Sequence, residues 1–181
     1  MKAVAVTDYG AGNLRSVLLA FERLGARAFA TADPAAVAGA DLTVLPGVGS
    51  ARSAMKALTE TGLSDALRAR RGPTLGICLG LQLALEESEE DGGVRGLGLV
   101  PGRAVRLRGD RVPRIGWAPV EPSGTPYYFA HSYAALTPAA VATSEGIVAE
   151  VEWENFTGVQ FHPEKSGAAG AAWLERCLSR A

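Results

Sequence analysis

Two stretches of this chain carry residues able to make and break an acyl bond. Gly76-Ile77-Cys78-Leu79-Gly80 stands where a short apolar strand gives way to a helix-period segment. A residue forced into a tight strand-to-helix turn needs neighbours without Cβ atoms, and such a turn projects its side chain at the helix N-terminus, where the dipole favours a thiolate. Cys78 is thus a candidate nucleophile, against the alternative of a small buried hydrophobe. A thiol nucleophile needs a base, and the chain has two histidines. His162 lies in Gly158-Val159-Gln160-Phe161-His162-Pro163-Glu164, expected at the C-terminal end of a strand. Residues i and i+2 of an extended segment point to the same side, so Glu164 can orient the imidazole as a third member. His131, in Ala130-His131-Ser132-Tyr133, has no such carboxylate neighbour and reads as a satisfied structural histidine.

Acyl transfer also needs donors for an oxyanion. Pro46-Gly47-Val48-Gly49 ends the third expected strand, on the sheet edge that also holds Cys78, where sites of parallel α/β folds collect. Its glycines allow a backbone N–H to turn toward a substrate, although an isolated P-G-x-G is most simply a strand-ending turn. Gly47 is the expected hinge, because glycine enters backbone regions closed to other residues. Asp8-Tyr9-Gly10-Ala11-Gly12-Asn13 lacks the third glycine of a dinucleotide fingerprint, which excludes nucleotide binding there. The five arginines from Arg103 to Arg114 read as a solvated face of two strands.

These residues need a scaffold, and the first half of the chain supplies one by alternating apolar runs with helix-period segments. Lys2 to Thr7 reads as a strand, and Leu14, Val17, Leu18, Phe21 and Leu24 form one helical face between Asn13 and Gly25. Strands are expected at Arg27–Ala30, Leu42–Leu45 and Thr74–Ile77, with helices starting at Asp33-Pro34, spanning Ala51–Arg71 as a pair, and spanning Leu79–Glu87. Four βα units imply a parallel sheet. In the second half, strands at Arg103–Arg108, Tyr127–Ala130, Val141–Ser144, Ile147–Trp153 and Gly158–Phe161 precede a last helix at Ala168–Leu178. The expected architecture is α/β with an antiparallel extension.

The chain has 181 residues, 48% of them hydrophobic and 20% charged, with net charge -1. That suits one globular domain over residues 1–181, burying about 70% of the surface its unfolded chain exposes. The charge balance leaves no footprint for nucleic acid at whole-chain level. Cys78 and Cys177 are too far apart in sequence for a metal-ligand cluster, no metal or cofactor is expected, and no run approaches a membrane span. A soluble, reducing, cytoplasmic setting follows as the expectation.

Taken together, Gly76-Ile77-Cys78-Leu79-Gly80-Leu81-Gln82 and Gln160-Phe161-His162-Pro163-Glu164 resemble the class I (triad) glutamine amidotransferases. Asp8 to Ser16, Pro46-Gly47-Val48-Gly49, Glu86-Glu87-Ser88-Glu89, Gly116-Trp117 and His131-Ser132-Tyr133 are similar to one family among them, the glutaminase subunits of imidazole glycerol phosphate synthase. The resemblance implies a flavodoxin-like three-layer fold, its mostly parallel central sheet carrying an antiparallel extension. It implies glutamine hydrolysis through a Cys78 thioester, with His162 as base and then acid and Glu164 holding the ring. It places Gly47, Val48 and Leu79 in the oxyanion region, and Gln82, Glu90, Ser132 and Tyr133 around the glutamine. The implied partner is a (β/α)8-barrel cyclase, forming a heterodimer in which ammonia passes to a nucleotide. Imidazole glycerol phosphate and aminoimidazole carboxamide ribonucleotide result, as in histidine biosynthesis. Asn13, Arg15 and Trp117 would lie toward that partner, whereas an aromatic of Trp117's size could equally be core. Where the family commonly reads Pro-His-x-Gly-Trp-Asn, this chain has Pro113-Arg114-Ile115-Gly116-Trp117-Ala118. Glutaminases of anthranilate or pyridoxal phosphate synthesis share the triad, and a cysteine hydrolase shares the elbow. Asp8 to Ser16 and Val48 argue against the other amidotransferases.

Overall fold

The computed structural model describes residues 1–10, 13–109 and 112–181. Ala11 and Gly12 of the Asp8–Asn13 segment, and Arg111 of the arginine series, lie outside the described residues. The first half runs β1 (Ala3–Thr7), α1 (Leu14–Arg23), β2 (Arg27–Thr31), α2 (Pro34–Gly39), β3 (Leu42–Leu45), α3 (Ala51–Glu60), α4 (Leu63–Ala69), β4 (Thr74–Ile77) and α5 (Leu79–Ala84). The second half runs β5 (Glu87–Ser88), a 3₁₀ turn at Glu90–Gly92, β6 (Val94–Arg95), β7 (Arg103–Arg106), β8 (Arg114–Val120), β9 (Thr125–His131) and β10 (Tyr133–Leu136). It closes with β11 (Ala140–Ser144), β12 (Ile147–Trp153), β13 (Phe156–Val159), a 3₁₀ turn at Pro163–Lys165 and α6 (Gly167–Arg180).

The large sheet has the order β11-β12-β13-β4-β3-β1-β2. From β2 to β13 all neighbours are parallel, and β12 and β11 add on antiparallel, which is the expected α/β arrangement with its extension. Side chains alternate across this sheet. Val4, Val6, Leu42 and Val44 face a core shared with Val17 and Phe21 of α1 and Trp173 and Leu174 of α6. Leu45 faces the opposite core, with Val37 of α2, Leu58 of α3 and Leu63 and Leu67 of α4. The two helical layers are therefore fixed by the period-2 pattern of the strands. A smaller sheet, β10-β7-β5-β6, and the β8–β9 hairpin complete the molecule.

Several boundaries depart from the sequence reading for identifiable reasons. Gly25, at φ +78°, closes α1 as expected, with its N–H on Glu22 O and the Ala26 N–H on Phe21 O. Asn13 precedes α1 but makes no side-chain cap bond. Helix α5 stops at Ala84 rather than Glu87, because Leu83, Ala84 and Leu85 give their carbonyls to N–H groups of Leu97, Leu99, Val100 and Gly98. A loop distant in sequence thus takes over from the next helical turn. β13 starts earlier than expected and ends at Val159, whose parallel partner is Ile77, the last residue of β4. β8 and β10 are additions to the sequence reading; Gly116 and Pro119 punctuate β8, and proline is tolerated because β8 pairs along its length with β9 alone. Arg103, Arg106 and Arg108 are solvent-facing as expected, whereas Arg114 is not. Its guanidinium lies 4.2 Å over the Phe129 ring and donates to Ser144 Oγ and Glu145 Oε2, since its strand turns that face toward the antiparallel extension.

The parallel order brings the ends of β1, β2, β3, β4 and β13 to one edge, and the reversal of strand order beside β1 falls there. The junction of β4 with α5 is the tightest. A Cβ on Gly80 would stand 1.8 Å from Leu45 O, and one on Gly76 would stand 2.8 Å from the Leu81 nitrogen. Gly80→Ala is accordingly expected to cost about 1–3 kcal/mol or more in stability, as overpacking against backbone does. A urea midpoint equal to that of the parent would show that α5 does not approach β3 this closely.

Candidate active site

Cys78 occupies the turn between β4 and α5 with φ 53° and ψ -106°, a conformation side chains rarely adopt. Its N–H is anchored to Val159 O at 2.7 Å, and its carbonyl accepts from Leu81 and Gln82 as the first turn of α5 forms. Leu79, the first helical residue, has no intrahelical acceptor for its N–H by the geometry of helix starts. The sulfur lies 3.8 Å from Ala130 O, toward which the thiol donates, and 3.6 Å from Gln160 Nε2.

His162 lies three residues past β13 instead of at its end. Pro163, with its fixed φ, opens the 3₁₀ turn that carries Glu164, so the i, i+2 pairing expected from an extended strand is made through a turn. Glu164 Oε1 nevertheless accepts from His162 Nδ1 at 2.9 Å, with both side chains about 5% exposed or less. A carboxylate only accepts, so Nδ1 carries the proton and Nε2 is the nitrogen left open, with the Cys78 thiol among the groups acting on the ring. Burial pulls the His162 pKa down, but the hydrogen bonds to Cys78 and Glu164 and their negative charges outweigh it and raise it to about 9. Cys78, His162 and Glu164 are therefore together.

A cavity of about 240 Å³ opens beside the sulfur, lined by Val48, Cys78, Leu79, Gln82, Glu90, His131, Ser132 and Tyr133 among others. Every residue that the resemblance places around the glutamine borders it. Glu90 reaches in from the 3₁₀ turn, with Oε2 accepting from the Ala51 N–H that opens α3, and burial raises its pKa. Val48 and Leu79 of the expected oxyanion region border the cavity too, whereas Gly47 does not. It borders a narrow cleft on the other side of the catalytic pair, with Asn13, Val17, Pro46, Val48, His162, Glu164 and Lys165. The positive φ in this segment, +108°, belongs to Gly49. At Gly47 glycine supplies room, since a Cβ would stand 2.7 Å from Tyr9 Oη and 2.8 Å from Leu79 Cβ.

His131 corrects its sequence reading as well. Nδ1 is satisfied by Tyr133 O at 2.9 Å, but the buried Nε2 has no hydrogen-bond partner among the described residues. Burial first, and then the nearby positive Arg114 and His162, lower its pKa to about 4 despite the backbone bond. Arg15 and Asn13 are exposed, and Trp117, 58% exposed on β8, is edge-on to Tyr128 outside the core. Sequence reasoning missed two residues that touch these groups. The buried Tyr9 hydroxyl donates to Pro46 O at 2.5 Å, with a pKa raised by burial and by Cys78. Gln160 is fully buried against the sulfur. Both stand in segments that the sequence marks through other residues, and the only signal is their place just past a strand on the functional edge.

Comparisons with known proteins identify the family and the fold. The family model described as glutamine amidotransferase class-I matches residues 5–181. The imidazole glycerol phosphate synthase subunit HisH of Methanothermobacter thermautotrophicus is 45% identical over 92% of this chain and 93% of its own. That of a Thermus thermophilus strain is 46% identical over 96% of this chain and 95% of its own. A crystal structure titled as a glutamine amidotransferase superposes with a TM-score of 0.81 at 20% identity, covering 98% of this chain and 99% of the other. No helix among the described residues is long and apolar enough to cross a membrane.

The two histidines should titrate far apart. His162, raised from the usual 6.5 to about 9, contributes stability that is complete below 6.5 and lost as pH rises through about 9. His131, lowered from 6.5 to about 4, contributes stability present above 6.5 and lost as pH falls through about 4. Ring-proton NMR is expected to resolve one histidine titrating near each limit. Glu164→Gln should lower the upper midpoint by removing an acceptor charge. Midpoints that both lie near 6.5 would contradict the geometry.

Proposed function

The chain belongs to the class I glutamine amidotransferases, and we propose that Cys78, His162 and Glu164 carry its reaction. It is an enzyme that hydrolyses glutamine, the glutaminase subunit of an imidazole glycerol phosphate synthase. The observation that supports the triad is the buried His162–Glu164 bond, on an imidazole whose pKa the Cys78 thiol at the wall of the cavity helps to raise. In this reading His162 takes the thiol proton and the sulfur attacks the carboxamide carbon of glutamine. The carbonyl π pair moves to oxygen, where the N–H groups of Leu79 and Val48 receive it. The intermediate collapses, the C–N bond breaks, and His162 returns its proton to the departing ammonia. Water then adds to the thioester as His162 takes a proton from it, and collapse releases glutamate with the thiol restored. Glutamine and water become glutamate and ammonia. Glu164 keeps Nδ1 protonated throughout, which leaves Nε2 as the working nitrogen.

Gln82, Glu90, Ser132 and Tyr133 hold the amino-acid end of the substrate. Gln82 is anchored by its own amide bonds, and Glu90 sets a carboxylate where an ammonium would be received. The partner in this reading is a (β/α)8-barrel cyclase. It docks on the face presenting Asn13, Arg15 and Trp117, beside the cleft that borders His162 and Glu164 opposite the substrate cavity. That cleft, about 10 Å³, has room for one small molecule of ammonia's size.

Cys78→Ala is expected to lower glutamine-dependent synthesis in the complex by on the order of 10⁴-fold or more, while synthesis from ammonium salts persists. A diazo-oxo-norleucine label should map to Cys78. Mapping to Cys177, whose pKa is pushed up to about 12 by burial and by Glu150, would refute the nucleophile. Trp117→Ala should weaken cyclase binding by about 2 kcal/mol, roughly 30-fold in Kd, with little change in melting temperature. Unchanged affinity together with a sharply lowered Tm would return Trp117 to a structural role.

A further inference from the structure

Gln160 is fully buried, one residue beyond β13, and its backbone N–H is already engaged with Ala149 O. Its side chain makes two contacts. Oε1 accepts from Gln82 Nε2 at 3.1 Å, and Nε2 points to Cys78 Sγ at 3.6 Å. Gln82 Nε2 also donates to Tyr133 O at 2.8 Å. A carboxamide can be turned over without changing shape, so its orientation must come from its partners. Tyr133 O only accepts, which forces the NH₂ of Gln82 toward it. That same NH₂ then forces the oxygen of Gln160 toward Gln82 and the nitrogen of Gln160 toward the sulfur. The chain of obligate choices runs from the cavity wall, at Tyr133, to the nucleophile.

We propose that Gln160 is a further catalytic residue, its carboxamide N–H donating to the Cys78 sulfur and favouring the thiolate, with Gln82 and the Tyr133 carbonyl fixing the direction of that donor. A hydrogen bond given to the charged form of a group stabilises it over the neutral form, and a thiolate accepts far better than a thiol. The bond therefore strengthens at the moment His162 removes the proton. It opposes the Ala130 carbonyl, which can only accept and so suits the protonated thiol. This inference rests on Cys78 being the nucleophile.

The test uses the full chain in a Cys177→Ser background, so that Cys78 is the one thiol present. Iodoacetamide alkylation is followed against pH for the parent, Gln160→Leu and Gln160→Glu, alongside kcat and KM for glutamine in the complex with the cyclase. Leucine removes both contacts. Glutamate keeps an acceptor for Gln82 but presents no N–H to the sulfur. The other ionisable groups around the thiol are His162 and Glu164 from the turn after β13, Tyr9 from the loop after β1, His131 from β9 and Glu90 across the cavity, and all are retained. The alkylation midpoint is expected to rise by about one pH unit in both variants, a ten-fold loss of thiolate below it. kcat should fall by a similar factor while KM changes little. An unmoved midpoint in either variant that keeps the parent's circular dichroism overturns the proposal; such a result with Glu would assign Gln160 only to bracing Gln82. Full glutaminase activity in Cys78→Ala would instead defeat the nucleophile reading on which the proposal rests.

Discussion

The packing of Gly80 on the carbonyl of Leu45 sets how near α5 lies to the sheet, and the site depends on that distance. With the helix this close, the link from β4 has a single residue in which to turn, and Cys78 takes it up at φ 53°. A conformation of this kind costs on the order of 1–3 kcal/mol. Burying Leu79, Leu81 and Leu83 offsets it, since each such side chain contributes about 1.5–3 kcal/mol when removed from water. The strain is held by the core on both sides of the turn. It sets the thiol at the lip of the cavity, with the open N–H of Leu79 beside it.

Around that sulfur the fold separates two otherwise equivalent imidazoles by their partners. His162 has a carboxylate on one nitrogen and a sulfur near the other, and its cation is favoured. His131 has a carbonyl on one nitrogen, no partner for the other among the described residues and two positive groups nearby, and it stays neutral. The two rings are thus driven toward opposite protonation states by their surroundings. Opposed environments of this kind are how acid and base roles are assigned within one pocket.

The edge of the sheet also separates two openings. The cavity lies on the side of α5, β9 and the 3₁₀ turn of Glu90, while the narrow cleft lies on the side of α1. The Pro46–Val48 segment stands between them and is gripped from behind by the Tyr9 hydroxyl. Val48 borders both openings, so the peptide proposed to meet an oxyanion also walls the cleft that the exposed Asn13 borders.

Cys78, His162, Glu164 and the alternating βα units were legible in the sequence because glycine brackets, period-2 runs and period-3.6 faces are local properties of the chain. So was the parallel sheet with its antiparallel extension, from the change of pattern between the two halves of the chain. Tertiary contacts decided the rest. α5 ends at Ala84 because the Leu97–Val100 loop takes its last carbonyls, and Gly47 leaves the space that Tyr9 and Leu79 fill. His131 is only half satisfied, and Arg114 is stacked on Phe129, because the β8–β9 register sets them side by side. Gln160 gave no sign of its contact with the sulfur, since a buried amide past a strand end looks the same in sequence whatever it faces. Residue types and spacing fix which chemistry a chain can hold, through steric and dipolar preferences that act over a few residues. Which groups meet, and in which protonation state, is set by packing between segments that the sequence keeps apart.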